Sequence, residues 1–160
     1  MSSILEACAG RPERQVAEGE TLLQSGEVTG CLFILIDGSV EVLKDGVRVA
    51  KTSEPGAIFG DLSALLEIPH TATVQAARPS RFFVIDDPRR FLNETPGVCL
   101  HLCELLARRL DAMNRYLVDV KQQFAGHDHM GMLDSLLDTL MHRHPRQRVR
   151  PPDSTIAGPE

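Results

Sequence analysis

Between Gln15 and about Asp86 the apolar positions fall in short runs of Val, Ile, Leu and Phe, each closed by a turn-forming residue. ETLLQ (20–24) stops at Ser25-Gly26-Glu27, and CLFILI (31–36) stops at Asp37-Gly38. SVEVLK (39–44) stops at Asp45-Gly46, and VRVAKT (47–52) follows. Runs of this length predict strands, and each Asp-Gly predicts a tight hairpin turn, because Gly supplies the positive φ that such turns need. TATVQAA (71–77) and RFFVID (81–86) read as two more strands, joined at Arg78-Pro79. Strands this short and closely spaced predict a sandwich or barrel. A short helix around Ile4 and Leu5 is expected ahead of them.

From Pro88 onward the period changes from strand to helix. Cys99, Cys103, Leu106, Leu110, Met113, Leu117, Val120 and Phe124 are spaced alternately by four and three residues. That is the a/d seam of a coiled coil, and it predicts one long helix from about Val98 to Phe124, ended by Gly126. Leu102 and Leu105 lie off the seam and are expected to face the strands, leaving the seam for a second copy of the chain. A shorter helix is expected over MGMLDSLLDTLMHR (130–143), halted by Pro145. The Pro-rich, polar end of the chain is expected to be disordered. The predicted division is therefore 1–124, 125–144 and 145–160.

Composition narrows the function. The chain has 160 residues and a net charge of −5, with aromatics at 4% and no Trp. Scarce aromatics disfavour a stacking platform for single-stranded nucleic acid, and an acidic balance disfavours unaided phosphate-backbone binding. No apolar run approaches the roughly 20 residues of a membrane span, and the N-terminus has no secretion-signal pattern, so a cytoplasmic protein is expected. Cys8, Cys31, Cys99 and Cys103 show no CxxC spacing and read as free thiols in a reducing compartment.

The stretch FGDLSALLEIPHTATV (59–74) carries the candidate chemistry. A short helix starting near Asp61 would aim free backbone N–H groups at one spot, where an anion is favoured. Gly60 would let the backbone come close. On the structural reading, the same residues are a helix start with a carboxylate on the favourable end of the dipole, and His70-Thr71 is only a strand entry after Pro69.

Taken together, Gly19-Glu20, Gly26-Glu27, the run into Gly38-Ser-Val-Glu-Val, Pro55-Gly56, FGDLSALL, Pro-His-Thr-Ala-Thr-Val and the long helix resemble a cyclic nucleotide-binding domain. The resemblance covers roughly residues 12 to 124. It implies a double-stranded β-helix (jelly roll), mainly β, with flanking helices and a C-terminal dimerisation helix. It also implies that 59–74 is the phosphate-binding cassette, with Gly60, Asp61, Leu62, Ser63, His70 and Thr71 as ligand-binding residues. The family has Glu where Asp61 stands, to accept from the ribose 2′-hydroxyl. It has Arg where His70 stands, to pair with the cyclic phosphate. A Thr at position 71 is associated in the family with guanine, so cyclic AMP and cyclic GMP are both candidate ligands. No further cofactor is implied.

The expected function is a regulatory sensor that relays occupancy through its C-terminal helices to a protein partner, as a homodimer through Cys99 to Phe124. A ligand-free dimeric scaffold of the same fold is the alternative. An enzyme is not expected: no Ser-His-Asp or Walker pattern appears, and one histidine before His101 cannot build a cupin-type metal centre. No metal site is expected from His127, Asp128, His129, His142 and His144, nor from Cys99, His101 and Cys103, where the two cysteines share a helix face and His101 points away. The roughly 35 residues after Phe124 are too few for a winged helix-turn-helix, so no DNA binding is expected.

Overall fold

The computed structural model describes residues 3–124 together with Leu136 and Leu140, both helical. The chain divides into two compact units, Met1–Leu105 and Leu106–Glu160.

The first unit opens with helix α1 (Ser3–Ala7), and strands β1 (Glu13–Val16) and β2 (Thr21–Leu23) follow. Then come the long β3 (Leu32–Lys44), β4 (Val47–Thr52) and the brief β5 (Ile58–Phe59). Helix α2 (Asp61–Leu66) precedes the second long strand, β6 (Thr73–Ile85), and helix α3 (Pro88–Glu94). Helix α4 runs Pro96–Gln123 and begins in this unit. All strand pairs are antiparallel, in the order β1-β6-β3-β4, with β2 on β6 and β5 on β3.

The Asp45-Gly46 turn stands as expected. Lys44 pairs with Val47, and both turn residues have positive φ, 51° and 77°. That matches the twist of the flanking strands. Asp37-Gly38 does not make a hairpin. β3 runs straight through it, pairing with β6 on both sides at Leu35–Phe82, Asp37–Arg81 and Ser39–Arg78. Gly38, at φ 115°, instead serves an irregularity in register that lets the strand turn a corner. Likewise TATVQAA and RFFVID are halves of the single strand β6, and Arg78-Pro79 is its bend. Pro has no N–H for the ladder, so it sits where the ladder is interrupted. Each long strand therefore works as two, and the sheet folds over on itself as a jelly roll.

Side chains alternate across this roll. Phe33 and Leu35 enter the inner core with Val40, Val74 and Phe82. The Phe59 and Phe82 rings meet edge-on at 6.2 Å. Leu32 and Ile34, on the other face of β3, are buried as well. Also buried are Ile4 of α1, Cys8 just after it, Phe91 of α3, and Val98 and Leu102 of α4. Of the two residues expected off the seam, Leu102 is buried and Leu105 partly buried.

The second unit, over its described residues, consists of the remainder of α4 and helical positions at Leu136 and Leu140. Its seam is unevenly covered: Leu117 is buried, whereas Leu110, Met113 and Phe124 are exposed. Gly126, the histidines from His127 onward, most of the 130–143 helix and the 145–160 tail fall outside the described residues. No helix among the described residues is long and apolar enough to cross a membrane.

Candidate functional site

The sequence 59–74 folds as a strand end, one turn and a half of helix, and a return loop. Gly60 caps α2 at φ 82°, and no side chain caps that end. The first helical bond is Ala64 N–H to Gly60 C=O at 3.0 Å, so α2 opens directly at Gly60. A Cβ on Gly60 would stand 2.7 Å from the Cys31 carbonyl oxygen, so only glycine permits this approach of α2 to the head of β3. Asp61 and Ser63 are buried, while Leu62 is exposed. The Ser63 hydroxyl donates to the Ile68 carbonyl at 2.6 Å, closing the loop after α2.

The return loop is fastened to residues 24–29. Gly26 N–H donates to His70 C=O, and His70 N–H to Glu27 C=O, both at 2.8 Å. Ser25 N–H donates to the Thr73 hydroxyl at 3.1 Å. These bonds hold His70 beside the start of α2, where its Cε1 lies 3.7 Å from the position of a Cβ on Gly60. Of the six expected ligand-binding residues, the structure thus brings Gly60 and His70 near each other and buries Asp61, Ser63 and His70, while Leu62 and Thr71 are exposed.

His70 is only 5% exposed. Its Nε2 lies 2.9 Å from the Thr29 hydroxyl. Burial pushes its pKa below the ordinary histidine value, against the opposing pull of the Glu27 carboxylate. The imidazole is therefore neutral at pH 7 rather than a fixed cation. Thr29 was not foreseen from the sequence. Its only local signal is a hydroxyl in the Gly26–Gly30 loop, 41 residues from His70. Behind α2, on the side of α3, lies an open groove of about 350 Å³ lined by Ser63, Glu67, Asp86 and Arg89.

A family model for the cyclic nucleotide-binding domain matches residues 13–93. The chain belongs to the cyclic nucleotide-binding domain family. It is 35% identical over 74 residues to a cAMP-dependent protein kinase regulatory subunit of Yarrowia lipolytica, covering 46% of this chain and 20% of that protein. It is 32% identical over 115 residues to the acetyltransferase Pat of Mycolicibacterium smegmatis, covering 69% of this chain and 34% of that protein. The chain thus spans about a fifth to a third of the length of these relatives. The crystal structure of the Thermus thermophilus catabolite activator protein superposes with a TM-score of 0.66 at 22% identity, over 76% of this chain and 60% of that one. That likeness establishes the jelly-roll fold. Within this cyclic nucleotide-binding domain, the matched segment holds the whole roll from β1 to α3, and the cassette lies inside it.

Proposed function

We propose that this domain binds cyclic AMP or cyclic GMP at Gly60, Asp61, Leu62, Ser63, His70 and Thr71 and passes the occupancy through α4 to a protein partner. The observation that carries the reading is the match of residues 13–93 to the family model, with left-handed Gly60 opening α2 near the buried His70 inside it. The positive end of the α2 dipole favours a cyclic phosphate, and the buried Asp61 supplies an acceptor for the ribose. A neutral His70 in place of a fixed guanidinium forgoes a charge-assisted bidentate contact. That costs about 1.5–3 kcal/mol, or roughly ten- to a hundredfold in affinity. Thr71 inclines the choice towards cyclic GMP.

The relay requires a ligand that prefers one of two arrangements of the C-terminal helices. The exposed Leu110, Met113 and Phe124 support a homodimer through Cys99 to Phe124, because an apolar stripe at four-three spacing is what a second copy would cover. In this reading the domain, residues 1–124, is regulatory, cytoplasmic and not catalytic, it does not bind DNA, and 125–144 and 145–160 are appendages to it. The binding half is tested by calorimetric titration of the full chain with both nucleotides. The buried, neutral state of His70 favours a second reading, a dimeric scaffold that no longer takes a nucleotide. Absence of heat with either nucleotide at millimolar concentration would select it.

A further inference from the structure

The end of α2 is held by a residue of α3. Leu65 lies in the last turn of α2, and the residue four further on, whose N–H would continue the helical ladder to its carbonyl, is Pro69. Proline has no N–H to give. Arg89 of α3 supplies a donor instead: its Nη2 lies 3.2 Å from the Leu65 carbonyl oxygen. The same nitrogen lies 3.3 Å from the Glu67 carboxylate. Glu67 ends α2 in the left-handed region, at φ 57° and ψ 41°. Glycine usually takes that position at the end of a helix, and any other residue is strained there. A glutamate stands here in spite of the strain, and its carboxylate meets Arg89.

We propose that Arg89 is a positioning residue for the relay: it ties the end of the cassette helix to α3, so that a displacement of α2 is handed on to α4. α3 passes it on because a single residue, Thr95, separates it from α4. The Thr95 N–H and hydroxyl both donate to the Phe91 carbonyl, at 2.9 and 2.6 Å. The Thr95 carbonyl in turn accepts from the N–H groups of Val98 and Cys99, at 3.0 and 3.1 Å. α3 and the start of α4 are thus hydrogen-bonded to each other through Thr95, and Arg89 is their grip on α2. The Arg89 and Glu67 side chains are 62% and 77% exposed, so their pairing adds little to stability and replacing either opens no cavity in the core. Such a contact breaks and re-forms without unfolding the domain.

The inference rests on the reading that occupancy of the cassette is relayed through α4, and its test separates the two. Amide hydrogen exchange is measured on the full chain, alone and with saturating cyclic AMP or cyclic GMP, for wild type, Arg89→Ala and Glu67→Gly. In wild type the nucleotide is expected to slow exchange in the cassette, 59–74, and to change it at the start of α4, 97–105. In Arg89→Ala the cassette response is expected to remain and the α4 response to shrink roughly threefold or more, with the melting temperature close to that of wild type. Glu67→Gly relieves the left-handed strain, so it is expected to be no less stable than wild type and still to lose part of the α4 response. An α4 response as large in Arg89→Ala as in wild type overturns the proposal, as does a loss matched by an equal loss in the cassette. If wild type binds neither nucleotide the binding reading falls, and if it binds without a response in α4 the relay reading falls. Exchange without nucleotide then still decides the tie. Arg89→Ala is expected to speed it roughly threefold or more at 63–68 and at 91–95 together, and acceleration at 63–68 alone overturns the proposal.

Discussion

Gly38 and Ser80 touch backbone to backbone where the two long strands cross their corners: a Cβ on Gly38 would stand 2.1 Å from the Ser80 hydroxyl and 2.5 Å from its Cα. Ser80 is buried, accepts from Ser39 N–H at 3.0 Å, and donates to the Arg78 carbonyl at 2.7 Å. The fold of the sheet onto itself depends on this contact. Gly38→Ala is expected to destabilise the protein by about 3 kcal/mol or more, since the strands must separate and φ 115° is unfavourable for any other residue. Gly46 has a positive φ but open space around it, so Gly46→Ala should cost only about 1–2 kcal/mol. Denaturant unfolding of both variants checks the order, and equal losses would contradict it.

The strand–turn punctuation could be read from the chain because it is local. Asp45-Gly46 lies between two runs that pair with each other, so composition and outcome agree. Asp37-Gly38 has the same composition and a different outcome, because its geometry is set by Ser80, far along the chain. No local pattern distinguishes a glycine that ends a strand from one that lets a crossing backbone pass. The same holds at the cassette. Gly60 and the start of α2 were legible as a glycine before a short apolar run. Thr29 was not, because a hydroxyl in a loop acquires meaning only when the return loop brings His70 to it.

His70 makes a prediction about acid. Its pKa in the folded protein lies below the ordinary value of 6.5, so the unfolded chain takes up the proton more readily than the folded one. The stabilising effect of a neutral His70 is present above about pH 6.5 and is lost as the pH falls through the lower, folded value. His70→Gln should flatten this part of the stability profile, as measured by thermal melts from pH 7 down to about 5. A variant that follows the wild-type curve would show that another group governs it.

Nucleotide binding should respond to the same proton with the opposite sign. An anion at the start of α2 favours the charged imidazole, so affinity should rise as the pH falls below about 6.5 while stability declines. Titrations at several pH values check this, and an affinity independent of pH would contradict it.

On α4, Leu110 is exposed in the single chain and Leu117 is buried. Leu110→Glu should leave the folded chain intact and abolish the dimer, because the introduced charge would be buried unpaired at a cost of several kcal/mol. Leu117→Glu should disturb the chain's own packing as well. Sedimentation of wild type and Leu110→Glu decides the point: a dimer and a monomer are expected, and identical sedimentation of the two would contradict the seam.

The central claim is that FGDLSALLEIPHTATV holds a cyclic phosphate with its backbone and a neutral histidine. Calorimetric titration of wild type, Asp61→Ala and His70→Arg with cyclic AMP and cyclic GMP tests it most directly. The account predicts saturable wild-type binding, weaker binding by Asp61→Ala, and binding tightened by roughly ten- to a hundredfold in His70→Arg. Failure of both wild type and His70→Arg to bind either nucleotide at millimolar concentration would contradict it.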